Sequence, residues 1–142
     1  MIDVAPRPGT EGDYAYIVDT WLKTLWPTMR TVQRKSDFFA YQRQVIRSLF
    51  DDGRAGAVVL GLLDDPAFVV AWMVCSVGSA APAVHYIHTR RRYRRMGFGR
   101  RLLEAAPENA AATHMTPDGR LLVEKFAVRY VPQLLALEAH AR

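Results

Sequence analysis

Residues 55–63 and 67–78 are two near-continuous apolar, β-branched runs, separated only by Asp64-Asp65-Pro66. Runs of that length and composition around a turn-forming break predict an antiparallel hairpin. A strand with one wet face alternates polar and apolar residues, whereas one apolar throughout must be covered on both faces. The hairpin therefore demands helices on each side of its sheet. Each run also falls well short of the roughly 20 apolar residues a bilayer crossing needs.

The segments before the hairpin supply two helices. Thr10-Glu11-Gly12-Asp13 has the Thr-x-x-acid form of a capping box, and Tyr14, Ile17, Val18, Trp21, Leu22 and Leu25 follow at helical spacing up to Pro27. Residues 2–5 are expected to form an edge strand that stops before Pro6 and Pro8. Ser36-Asp37 is the expected cap of the second helix. Its stripe is Phe38, Tyr41, Val45 and Leu49, with Phe39, Ile46 and Phe50 beside it and Gly53 just past its end.

After the hairpin, residues 83–89 predict a third strand of the central sheet. A helix through Leu102, Leu103 and Ala106 is limited by Pro107. A strand is expected at 110–115, a short helix with Leu121, Leu122 and Phe126, and a last strand at 127–131. The order β-α-α-β-β-β-α-β-α-β implies one α/β domain over residues 1–142, a mixed, mostly antiparallel sheet with helices on both faces.

Between the third strand and its helix lies Arg90-Arg91-Arg92-Tyr93-Arg94-Arg95-Met96-Gly97-Phe98-Gly99-Arg100-Arg101. The whole chain carries a formal charge of +5, and this stretch holds seven arginines and no acid, so the rest of the chain is at −2. Basicity this local points to a focused anion site. Glycines let a backbone fold tightly enough for successive N–H groups to meet one anion, and a helix N-terminus adds its dipole. Arginines beside such a turn complete a pyrophosphate site. The Rossmann fingerprint is excluded, because position 102 is Leu where a third glycine belongs, and no Gly-Lys-Ser/Thr of a P-loop occurs. The single cysteine, Cys75, allows no internal disulfide and no metal spacing, and is expected to be a small buried hydrophobe. No metal site is expected. Met1-Ile2-Asp3-Val4 has neither a basic n-region nor an apolar h-region, so a soluble cytoplasmic protein is expected.

Ile87-His88-Thr89 followed by Tyr93-Arg94-Arg95-Met96-Gly97-Phe98-Gly99-Arg100-Arg101-Leu102-Leu103 resembles motif A of the GNAT superfamily of N-acetyltransferases. Arg94, Gly97 and Gly99 fill its three defining positions, and the element order is similar to the family fold. The resemblance implies acetyl-CoA as co-substrate and an amine acceptor. Backbone amides of Arg95, Met96, Gly97, Phe98, Gly99 and Arg100 would hold the pyrophosphate, with Arg94 beside them. The main chain of Ile87, His88 and Thr89 would pair with the pantetheine arm. The further arginines at 90–92 and 100–101 would neutralise the 3′-phosphate.

Acetyl transfer to an amine needs a base for the ammonium and a donor for the departing thiolate. No acid lies on residues 83–89. His85, two residues before Ile87 and so on its face by alternation, resembles a position used by histidine in the arylalkylamine acetyltransferases and is the favoured base. His88, on the opposite face, and His114 are weaker candidates. The short helix carries Phe126 where the family often has a tyrosine, and Tyr130 is the candidate acid. The acceptor pocket is expected between the first two helices, with Trp26, Met29 and Tyr41. Two alternatives stand: an arginine-rich nucleic-acid binder with Tyr93 stacking on bases, and a catalytically weak CoA-binding domain of the same fold. No nucleic-acid-binding module accompanies the arginines.

Overall fold

In the computed structural model the described residues are 2–28, 33–77, 83–106, 111–112 and 129–130. They form β1 (Val4–Pro8), α1 (Glu11–Leu25), α2 (Lys35–Asp51), β2 (Ala55–Leu62), β3 (Val69–Ser76), β4 (Ala83–Thr89), α3 (Phe98–Glu104), β5 (Ala111–Ala112) and β6 (Arg129–Tyr130). Single 3-10 turns lie at Trp26–Thr28 and Arg91–Tyr93. The strands make one sheet in chain order. Strands β1 to β4 are antiparallel, and β5 and β6 continue the sheet in parallel with β4. The helix predicted around Leu121, Leu122 and Phe126, like His114 and Met29, lies outside the described residues.

The apolar hairpin is covered on both faces, as its composition requires. On one side α1 and α2 bury Ile17, Trp21, Leu22, Phe38, Ile46 and Leu49 against Val59, Trp72, Val74 and Tyr86 of the sheet. On the other, α3 sets Phe98 and Leu102 against Leu60, Val70, Met73 and Val84. Full burial of a large apolar side chain contributes about 1.5–3 kcal/mol, so these two layers supply most of the driving force. No helix among the described residues is long and apolar enough to cross a membrane.

Two boundaries and one stripe position differ from the sequence expectation. Strand β1 runs through Pro6 and Pro8. Asp3 accepts a hydrogen bond from Leu63 N–H and Gly9 donates to Ala57, so odd-numbered residues face β2. Both prolines therefore point their missing donors at the open side of an edge strand, where nothing is lost. Helix α2 starts two residues earlier than a cap at Ser36 would place it, with Arg34 as an N-cap that makes no side-chain capping bond. Asp37 instead sits in the first turn, where its charge favours the helix dipole. Tyr41, counted on the core stripe, is 47% exposed. The C-terminal end is as expected: Gly53 adopts φ 69°, Gly53 N–H bonds to Phe50 O at 3.1 Å and Arg54 N–H to Leu49 O at 2.9 Å. That is a Schellman closure, which needs a residue tolerant of left-handed backbone.

Candidate functional site

The connection from β4 to α3 is built by the backbone. After Thr89 the chain makes the 3-10 turn, with Tyr93 N–H donating to Arg90 O at 2.8 Å. Arg94 is extended, and its Nε–H donates back to Thr89 O at 3.1 Å. Arg95 then takes φ 64° and Gly97 φ 82°, the latter as N-cap of α3. A Cβ at Gly97 would meet nothing within 4 Å, so glycine here supplies left-handed backbone rather than space. Arg95 has no such freedom, and holding it there costs about 1–3 kcal/mol, a kind of strain that gathers at functional turns. The first helical bond runs from Arg101 N–H to Gly97 O at 3.1 Å. The amides of residues 95–100 donate to no acceptor among the described residues. Consecutive orphan donors around left-handed residues make an anion-binding concavity.

The arginines divide into two sets. Arg90 is turned into the fold: its Nε–H donates to Val69 O, and its guanidinium carbon lies 4.5 Å from the ring centroids of both Tyr16 and Phe68. Arg101 donates to Val4 O at 3.1 Å, and Arg100 pairs with Glu104 at 3.4 Å on the exposed face of α3. Arg91, Arg92 and Arg95 are exposed, and their guanidinium groups make no hydrogen bond or ion pair among the described residues. Of the arginines at 90–92 and 100–101, Arg90 and Arg101 thus also bond carbonyls of distant strands, Arg90 half-buried and Arg101 exposed.

Strand β4 brings the remaining candidates together. Ile87, His88 and Thr89 are half-buried beside the turn. The described pairing of β4 with β5 consists of Ala83 with Ala111 and Val84 with Ala112. His85 is fully buried at 0% exposure. The β3–β4 register shifts there, Val74 pairing with Tyr86 but Cys75 with Val84. Val84 and Ile87 both pack on the α3 side although three residues apart, while Tyr86 packs on the α1 side. The bulge resets the pleat at His85, so simple alternation cannot assign its face. His88 lies with its ring centroid 5.7 Å from that of Trp72. Tyr130 is in β6, in register with Ala112 and hence two strands from Val84, roughly 10 Å between backbones at ordinary strand spacing.

Phe98 is buried in the α3-side core, and Met96 is 52% exposed on the turn. Trp26, expected in an acceptor pocket, packs on Phe38 and Phe39 at centroid distances of 5.1 and 6.3 Å. Cys75 is buried, and that burial pushes its thiol up to about 12, which removes it as a nucleophile. Among the described residues no cluster of His, Cys, Asp or Glu could hold a metal.

One feature escaped the sequence reading. Tyr16, Thr20 and Thr24 recur every four residues on α1 and form a polar seam against the sheet. Thr20 accepts from Trp72 Nε1–H at 3.0 Å, and Thr24 and Tyr86 hydroxyls meet at 2.8 Å. Each threonine has one proton, which its contact with the preceding helical turn uses, Thr20 on Tyr16 O and Thr24 on Thr20 O. Tyr86 is therefore the donor to Thr24. The i, i+4, i+8 spacing was the available signal, masked by the stronger apolar stripe beside it.

The profile of the acetyltransferase (GNAT) family matches residues 16–116. No curated protein sequence matches the chain significantly. Among solved structures, a GCN5-related N-acetyltransferase from Ralstonia eutropha superposes with TM-score 0.71 at 13% identity, over 91% of this chain and 94% of that one. A ribosomal-protein-alanine N-acetyltransferase from Brucella melitensis gives 0.60 at 15% identity, over 91% and 94%. A GNAT-family N-acetyltransferase from Escherichia coli, solved in complex with CoA, gives 0.52 at 13% identity, over 74% and 54%.

Proposed function

The chain belongs to the acetyltransferase (GNAT) family, and from that premise we propose that it moves an acetyl group from acetyl-CoA directly to the nitrogen of an amine acceptor. The observation that carries this is the row of amides from Arg95 to Arg100 without acceptors among the described residues, at the left-handed turn that opens α3. A row of donors on a fixed backbone suits the pyrophosphate of a CoA thioester. The Escherichia coli protein of the same fold was solved with CoA. Acetyl-CoA supplies the activated thioester. The acceptor nitrogen attacks its carbonyl carbon, the C–S bond breaks, and CoA leaves as a thiol once protonated.

On this reading the amides of Arg95, Met96, Gly97, Phe98, Gly99 and Arg100 hold the pyrophosphate, and Arg94 flanks it. The main chain of Ile87, His88 and Thr89 pairs with pantetheine as an added strand would. The exposed Arg91, Arg92 and Arg95 are the side chains available to a 3′-phosphate. His85 is the base and Tyr130 the acid. Since His85 is buried, the acceptor nitrogen or a water must come to the β4 bulge for the proton to reach the imidazole. A nucleic-acid role is not favoured, because the family match spans residues 16–116 and Arg90 turns its guanidinium inward against Tyr16 and Phe68.

Thermal unfolding with acetyl-CoA tests the assignment. At 100 times Kd a ligand stabilises by about 2.7 kcal/mol, enough to raise Tm by several degrees. Gly97→Val, which forces a β-branched residue into left-handed backbone, is expected to fold and lose that shift. A Tm indifferent to millimolar acetyl-CoA overturns the assignment, and binding of an oligonucleotide that weakens steeply with salt revives the alternative. For the base, His85→Gln is expected to slow thiol release over a panel of primary amines by about 100-fold or more. Its acetyl-CoA affinity should not change. Equal turnover removes His85 from the mechanism and leaves the family assignment intact.

A further inference from the structure

We propose that Arg90 is a positioning residue that fixes the anion-binding turn, and that it is not itself a ligand of the anion. The inference rests on the reading of residues 95–100 as a pyrophosphate site. Arg90 is where β4 ends and the turn begins, and contacts from several parts of the fold converge on it. Its backbone N–H donates to Val70 O at 2.9 Å and its Nε–H to Val69 O, both on β3. Its guanidinium is 4.5 Å from the Tyr16 ring on α1 and 4.5 Å from the Phe68 ring just before β3. The far end of the 3-10 turn hangs from the same ring, since Tyr93 meets Phe68 edge-on at 6.2 Å. Arg94 Nε–H then ties the next residue back to Thr89.

The residues leading to Arg95, the first left-handed residue, are thus held at both ends before the amides of residues 95–100 begin. Only arginine satisfies this joint. A planar guanidinium stacks its faces on rings while Nε–H donates in the plane, whereas an ammonium is a compact, strongly hydrated charge without that geometry. With its Nε bonded to β3 and its guanidinium against two rings, Arg90 is built into the support of the turn. A displacement of 1 Å in a binding or reacting group can cost about 100-fold, so a loosened joint is felt at the amides.

Calorimetric titration of the full chain separates the roles, using acetyl-CoA and acetyl-pantetheine, which lacks the phosphates. Arg90→Lys and Tyr16→Leu are both expected to weaken acetyl-CoA roughly tenfold and to leave acetyl-pantetheine unchanged. Tyr16→Phe, which keeps the ring, should bind both ligands as the wild type does. If Arg90→Lys weakens acetyl-CoA while Tyr16→Leu does not, Arg90 touches the anion and the proposal is overturned. Equal weakening of both ligands, or a lower Tm with unchanged affinities, means a general structural role and overturns it too. Should Arg90→Lys fail to fold, Tyr16→Leu and Phe68→Leu carry the same comparison. A wild-type protein that binds neither ligand fails the acetyl-CoA reading itself; a binding wild type with indifferent variants fails this inference alone.

Discussion

At Asp13 one carboxylate ties the first strand to the first helix. Arg7 donates to it from both terminal nitrogens, at 2.7 and 2.9 Å, and Thr10 from its backbone N–H at 2.8 Å and its hydroxyl at 3.1 Å. Hydrogen bonding from Arg7, ahead of the contrary effect of burial, lowers the Asp13 pKa from 3.8 to about 2. A carboxyl whose folded pKa is depressed contributes stability that is complete above its unfolded value and lost as pH falls through the folded one. Asp13→Asn is therefore expected to cost about 2 kcal/mol near neutrality, with the gap to wild type narrowing between pH 4 and pH 2. Urea midpoints at pH 6 and pH 2.5 check this, and a gap independent of pH would show that the ion pair contributes nothing. The capping pair was legible in the sequence from its spacing, as was the need for glycine at position 97. Arg7 as the partner was not, because it is supplied by a neighbouring strand rather than by helical spacing.

Helix α1 shows how an element can carry two messages at once. Its apolar stripe specifies burial, and its Tyr16-Thr20-Thr24 stripe specifies partners on the sheet. Replacing Thr20 by valine keeps the shape and leaves the fully buried Trp72 without its acceptor. A loss of about 1–3 kcal/mol is expected, the cost of a stranded buried donor. In a Trp72→Phe background the same change should cost much less, and a double-mutant cycle on urea midpoints measures the difference. Additive costs would mean that the hydrogen bond is not what Thr20 contributes. Strand β4 carries an equivalent lesson for the site. Its bounds were readable from the apolar run, but the bulge at His85 was not, since it arises from how β3 and β4 register against each other.

At the scale of the molecule, a hairpin buried on both faces binds the two helical layers into one unit, and we propose that residues 1–142 form a single domain. Trp21 and Trp72 lie in the α1–α2 layer and Trp26 packs against it, so their fluorescence follows that layer while far-UV circular dichroism follows the whole. Coincident urea transitions by the two probes are the expected result, and a separation of midpoints would divide the domain. The sequence by itself determined the two-sided sheet, the order of the described elements and a tight turn at Gly97 before α3. Apolar periodicity and backbone preference are local properties, written within a few residues of where they act. Only the tertiary structure decided which arginines bond distant parts of the fold. Arg90 and Arg101 meet carbonyls 21 and 97 residues away, and such partners exist only once the layers have packed. The run of arginines thus resolves into guanidinium groups that bond distant strands and others at the turn that do not, a division set by packing and invisible in the order of residues.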